Sequence, residues 1–132
     1  MADSIATVKA LYDAFALGDV PAALGLFDPE MHWMEAESGP LAVNNPYLGP
    51  QAVAEGVFMP LVGDFDDFTV TVEQLSGDSE TVTAQGRYRG VVKATGAELD
   101  AQFAHVWTLR NGKLARFQQY TDTYQWREIY GD

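Results

Sequence analysis

Residues 102–123, reading QFAHVWTLRNGKLARFQQYTDT, constrain this chain more than any other stretch. Two long strand-like runs meet at Asn111-Gly112, a dipeptide that selects tight hairpins. The first run alternates strictly. Leu99, Ala101, Phe103, His105, Trp107 and Leu109 fall on one face, and Asp100, Gln102, Ala104, Val106, Thr108 and Arg110 on the other. Period-two alternation of this length commits the segment to a sheet with one buried face. That face carries a single ionisable group, His105, flanked by Phe103 and Trp107. A histidine so placed is either a satisfied core residue or the lining of a pocket.

The turn decides which residues of the second run join it. A two-residue type I′ turn pairs His105 with Gln118 and Ala101 with Asp122. A three-residue turn with a bulge at Gly112 shifts the register by one and brings Phe117, Gln119 and Thr121 to that face. Arg110-Asn111-Gly112-Lys113 favours the bulged form, in which Asp122 needs a further bulge to point inward.

With 132 residues and 47% hydrophobic content, the chain is long enough for one domain, 1–132, with a real core. Nineteen acidic and eight basic residues give a net charge of −11, without a basic cluster. Nucleic acid and anionic membrane are therefore excluded as expected partners, because phosphate binding needs Lys/Arg clusters. There is no cysteine, which removes disulfides, thiolate zinc sites and thiol nucleophiles together. The first residues read as an amphipathic helix and no apolar run nears the ~20 residues that span a bilayer, so a cytoplasmic protein is expected. Two histidines and no cysteine predict no metal, and the lack of a phosphate-cradling glycine loop predicts no nucleotide cofactor. The serines sit at caps and turns outside any nucleophile elbow, which argues against a serine hydrolase.

Helical spacing of Ile5, Val8, Leu11, Tyr12 and Phe15 ends at Gly18, and Asp19 caps a short second helix through about Phe27. Residues 31–37 read as a strand with Trp33 and Glu35 on one face and His32 and Met34 on the other. A polar loop over 38–49 precedes a helix opened by Pro50 and carrying Val53, Val57 and Leu61. From Phe65 onward the pattern is β, with turns at Gly77-Asp78 and Thr95-Gly96. Helices followed by a meander of long strands give an α+β domain, a curved antiparallel sheet wrapped around N-terminal helices. The outer face, with Thr69, Thr71, Ala104, Val106 and Thr108, is apolar and β-branched enough to predict a homodimer.

The succession LYDAFALGDVPAALGLF, HWMEAESG, YLGPQAVAEGVF and AHVWTLRNGKLARFQQYTDT resembles the nuclear-transport-factor-2-like superfamily, and within it the SnoaL-like and ketosteroid-isomerase-like proteins. The resemblance implies a cone-shaped, cystatin-like barrel with an internal pocket, and sheet-to-sheet dimers. For the isomerases it implies a general base on the first strand, which falls on Glu35, and an oxyanion-hole acid on the penultimate strand, which falls on His105. Their first-helix tyrosine falls on Leu11, with Tyr12 about 100° further round the helix. For the polyketide cyclases it implies a histidine and a last-strand aspartate, matched by His105 and Asp122.

Glu35 against an indole would have its pKa raised toward neutrality, as suits a base that removes a proton next to a carbonyl. The alternative is a hydrated rim carboxylate, or one paired with Arg87, Arg89 or Arg116. His105 would polarise a carbonyl as neutral imidazole, or sit in the core bonded to Gln118, Gln119 or a backbone carbonyl. Asp122 would orient or assist, or lie exposed at a strand end. Tyr47 would contact substrate at the mouth or anchor its loop. Trp33, Phe103, Trp107, Phe117 and Gln119, with Tyr120 as a further candidate, would line a site for a neutral hydrophobic small molecule. The expected chemistry is cofactor-independent isomerisation or aldol cyclisation. An epoxide hydrolase and a non-catalytic binding dimer are the alternatives.

Overall fold

The computed structural model describes residues 3–130. Helix α1 (Asp3–Leu17) and the short α2 (Val20–Leu24) lead into β1 (Phe27–Met34). Gly18, at φ +69°, breaks the first helix, and the Asp19 carboxylate accepts from Ala22 N at 3.1 Å to start the second. A 3₁₀ turn (Pro40–Asn44) and the two-residue β2 (Tyr47–Leu48) precede α3 (Pro50–Val53), a π turn (Ala54–Phe58) and α4 (Met59–Asp64). The π turn widens the helix just ahead of Pro60, whose ring would otherwise meet the carbonyl of Gly56. Gly56 also makes room: a Cβ there would sit 2.3 Å from the Tyr47 ring.

Strands β3 (Phe65–Gly77), β4 (Thr81–Val92), β5 (Glu98–Arg110) and β6 (Lys113–Thr121) follow, and α5 (Thr123–Tyr130) closes the described chain. The sheet order is β2-β1-β6-β5-β4-β3. It is α+β as the pattern predicts, with two corrections. The β1–β6 pair is parallel, so the sheet is mixed, and β2 and β3 remain edges, so it does not close into a barrel. Helix α5 is not among the predicted elements. The second helix ends at Leu24, and the following strand starts at Phe27 rather than Met31. No helix among the described residues is long and apolar enough to cross a membrane.

The alternation of β5 holds throughout: Leu99, Ala101, Phe103, His105, Trp107 and Leu109 are all buried. The hairpin beside it differs from the expected bulged turn. Asn111 and Gly112 both take positive φ (53° and 76°), and Arg110 pairs with Lys113, which is a two-residue type I′ turn. The extra residue lies further on, at Ala115, between the pairs Leu109↔Leu114 and Thr108↔Arg116. Beyond that bulge His105 pairs with Gln119, and Trp107 with Phe117. The helices cover this inner face. Val8, Leu11, Tyr12, Val53, Val57 and Phe58 join the sheet residues in one core.

Candidate active site

His105 sits at the centre of the inner face, 4% exposed, its ring stacked on Phe103 at 4.0 Å and edge-on to Phe117 at 4.8 Å. Both ring nitrogens are engaged by tyrosine hydroxyls. Tyr12 Oη lies 2.5 Å from Nδ1, and Tyr88 Oη 2.5 Å from Nε2. Trp107 Nε1 donates to Tyr12 Oη at 2.9 Å, and Gln119 Nε2 to Tyr88 Oη at 2.7 Å. Ala36 N donates in turn to Gln119 Oε1 at 3.1 Å. One chain of hydrogen bonds therefore crosses the interior from the end of β1 to the buried indole of Trp107.

Burial holds the His105 pKa down at about 3, so the imidazole is neutral and carries one N–H. Proton counting then fixes a property of the cluster. The imidazole and the two hydroxyls supply three hydrogens, and the two O···N contacts consume two. One hydroxyl hydrogen remains to be given elsewhere. The tautomer selects which: Nε2–H frees the Tyr88 hydrogen, and Nδ1–H frees that of Tyr12. Burial raises the pKa of both phenols, so both stay protonated.

Glu35 follows β1 on the same side as Trp33 and is 5% exposed. Trp33 Nε1 donates to Oε2 at 2.7 Å, and none of Arg87, Arg89 and Arg116 forms a salt bridge with it. Arg87 and Arg89 instead share Asp100 on the outer face, at 2.7 and 3.4 Å. Burial pushes the Glu35 pKa up to about 7, and the indole bond only partly offsets it. Its backbone is fixed by Asn45, whose Oδ1 accepts from Glu35 N and whose Nδ2 donates to Glu35 O, both at 2.9 Å. Loop 38–49 thus acts as a substitute strand partner at this point.

The structure brings together Glu35, His105, Trp33, Phe103, Trp107, Phe117 and Gln119. Their rings close on one another, Trp33 over Phe117 at 3.7 Å and Trp33 against Trp107 at 5.8 Å. Three candidates stand apart. Asp122 is exposed; its carboxylate accepts from Gln125 N at 3.3 Å at the start of α5, so it caps a helix instead of entering the interior. The Tyr47 hydroxyl donates to Leu41 O at 2.5 Å and anchors the loop. Tyr120 is exposed and borders a hollow of about 360 Å³ with Ala36, Gln119 and Thr123.

Tyr12 and Tyr88 are the residues absent from the sequence-based set. Signals existed for both. Tyr12 lies on the apolar stripe of α1, and Tyr88 shares the β4 face with Val82 and Ala84; a buried phenol needs a hydrogen-bond partner. Gly86 on that face permits close packing, since a Cβ there would meet Thr71 O at 1.9 Å and Phe103 Cζ at 2.9 Å.

Comparison with known proteins agrees with this architecture. An NTF2-like protein from Burkholderia thailandensis superposes with a TM-score of 0.91 at 28% identity, covering 98% of each chain. TerC, crystallised with polyporic acid, gives 0.85 at 20% identity over 99% of this chain and 100% of its own. A SnoaL-like polyketide cyclase from Jannaschia gives 0.82 at 18% over 96% and 90%. No curated protein sequence matches. Residues 8–117 match the SnoaL-like domain, and with that span covering most of its length the chain belongs to the SnoaL-like family of NTF2-like proteins.

Proposed function

We propose that this domain is a cofactor-independent enzyme that removes a proton next to the carbonyl of a neutral, hydrophobic small molecule. The observation that carries the reading is Glu35, a carboxyl buried against an indole and poised at about pH 7, in the same interior as a hydroxyl with a hydrogen to give. A base whose pKa lies near the working pH is most effective. The carboxylate takes the α-proton, and the electron pair moves onto the carbonyl oxygen. Tyr12 or Tyr88 donates to that oxyanion, oriented by neutral His105, which acts as a positioning residue. Returning the proton to another carbon completes an isomerisation; attack of the enolate carbon on a second carbonyl completes an aldol cyclisation. Relatives described as a polyketide cyclase and as co-crystallised with polyporic acid support this class.

On an enolisable aromatic ketone, Glu35→Gln is expected to lose ~10²–10⁴-fold in kcat, and wild-type kcat/KM should fall as pH drops below about 7. Full activity in Glu35→Gln removes the base. The saturation of both His105 nitrogens favours a second reading, a non-catalytic binder, and the same variant decides between them: ligand binding without turnover in the wild type supports it.

The outer face is the proposed dimer surface. Thr69 and Thr71 are exposed there, and Ala104, Val106 and Thr108 half-buried. Sedimentation at micromolar concentration should show a dimer, and Val106→Glu should shift it to monomer. A wild-type monomer would refute the assignment.

A further inference from the structure

Three tryptophans are buried in this chain, and two of their indole N–H groups have acceptors, Glu35 for Trp33 and Tyr12 for Trp107. The third is different. Trp126, on α5, is 4% exposed, and its Nε1 has no hydrogen-bond partner among the described residues. Leaving a buried donor unpaired costs ~1–3 kcal/mol, and indole N–H groups ordinarily find partners when buried. An orphan donor in an aromatic setting calls for an acceptor brought by something else.

The surroundings say what kind. Trp126 meets Tyr88 edge-to-face at 5.4 Å, with Phe65 at 5.9 Å, Tyr130 at 6.2 Å and Phe68 at 6.3 Å. Tyr88 is the phenol whose hydroxyl closes on His105 Nε2, so this aromatic box shares a wall with the hydrogen-bond chain. The Glu35 carboxylate adds to the rise in pKa of both Tyr88 and Tyr130, which puts its charge within reach of the same space. Flat rings match such walls, and an anion would meet Glu35.

We propose that Trp126 is a ligand-binding residue, its indole N–H donating to the carbonyl or hydroxyl oxygen of a flat, uncharged aromatic ligand inserted between α5 and the β3–β4 side of the sheet. The inference rests on the interior being a ligand site, as above, and not on Glu35 being a base. Helix α5 is the element that makes way. Trp126 is its one fully buried side chain, Ile129 and Tyr130 are half-buried against the core, and the hydrogen bonds from Gln125 Nε2 to Asp100 O at 3.1 Å and from Tyr130 Oη to Asp64 Oδ2 at 3.3 Å are exposed. The hollow beside Gln119 reaches Thr123, the first residue of that helix.

The indole N–H resonances of the full chain, followed by ¹⁵N–¹H NMR, test this, with Trp126 assigned by its loss in Trp126→Phe. 1-Tetralone and 9-fluorenone should move the Trp126 resonance more than those of Trp33 and Trp107, while the hydrocarbons tetralin and fluorene leave it in place. By calorimetry Trp126→Phe should bind the ketones roughly 5- to 10-fold more weakly, as expected for one neutral hydrogen bond, with unchanged affinity for the hydrocarbons. If neither ketone moves the resonance up to its solubility limit, or if Trp126→Phe keeps wild-type affinity for both, the proposal is overturned. Repeating the titration with Glu35→Gln separates the two readings: a retained Trp126 shift beside undiminished turnover ends the base role and leaves the binding role standing.

Discussion

The interior has two aromatic regions that differ in whether their indole N–H groups are paired. Under α1, around β1 and β6, Trp33, Trp107, Phe117 and Phe58 pack ring against ring, and each indole N–H has an acceptor. Under α5, beside β3 and β4, Phe65, Phe68, Tyr88, Trp126 and Tyr130 form a second set in which the indole N–H has none. Both belong to one core, but the first region is covered by a helix of fifteen residues and the second by one of eight. Completed pairing marks the part of the interior that folding has closed, and the incomplete part marks where the protein can still admit something. Local stability should follow the same division.

The sharpest way to break this comparison is to truncate one ring from each side. Trp107→Ala, at a site with no exposure, should cost ~3–5 kcal/mol in urea unfolding, because it opens a cavity and strips Tyr12 of a donor. Trp126→Ala should cost less, since α5 can detach without unfolding the sheet. Equal losses would show one cooperative core and erase the distinction.

Next in size is a pH effect confined to the first region. The folded state holds a proton on Glu35 up to about pH 7, whereas an unfolded carboxyl releases it near the ordinary 4.5. Between those values the native state binds more protons than the unfolded one, so this group lowers stability as pH rises, by up to ~3 kcal/mol above pH 7. His105 acts oppositely. Its folded pKa of about 3 against the ordinary 6.5 means the unfolded state binds more protons in that window, and stability is lost as pH falls through it. From about 4.5 to 6.5 the two slopes cancel, and a flat stability plateau is expected. Glu35→Gln should tilt that plateau upward with pH and stabilise the protein at pH 8. An unchanged profile in that variant would show the carboxyl to be hydrated.

The smallest effect belongs to the second region. Asp122→Ala removes the cap of α5 and should cost ~1 kcal/mol locally, seen as faster amide exchange in residues 123–130 with β5 and β6 unchanged. Slower turnover on top of that would return Asp122 to the chemistry.

Legibility in the sequence divides along physical lines. The face of β5 could be read outright, since alternation is a local property of one strand and a buried face enforces it. The pairing of Glu35 with Trp33 followed from the same rule on β1. The parallel β1–β6 contact could not be read, because nothing in either strand encodes a partner far away along the chain. Helix α5 carries Trp126, Ile129 and Tyr130 at i, i+3 and i+4 against the core, but eight residues give that stripe barely two turns in which to be read. Tyr12 stood in the apolar stripe of α1 whereas Tyr88 went unnamed on β4, and the convergence of both on His105 needed three dimensions. Asn111-Gly112 marked where the turn falls but not its two-residue type, and the bulge at Ala115 left no mark of its own.

That bulge gives the gene an unequal tolerance for small deletions. Strand β6 lies between β5 and β1, so its register is read on both sides at once. Losing the single codon for Ala115 would remove the extra residue and leave an unbroken ladder, with Arg116 still opposite Thr108, Phe117 opposite Trp107 and Gln119 opposite His105. Losing the codon for Gln118, past the bulge, would instead turn Gln119 to the outer face and set Tyr120 opposite His105. A codon gained or lost in the exposed loop at Ala94-Thr95 changes only the reach of a turn. A scan of in-frame single-codon deletions should therefore find β6 intolerant from Phe117 to Gln119 and tolerant at Ala115, which the ladder leaves unpaired.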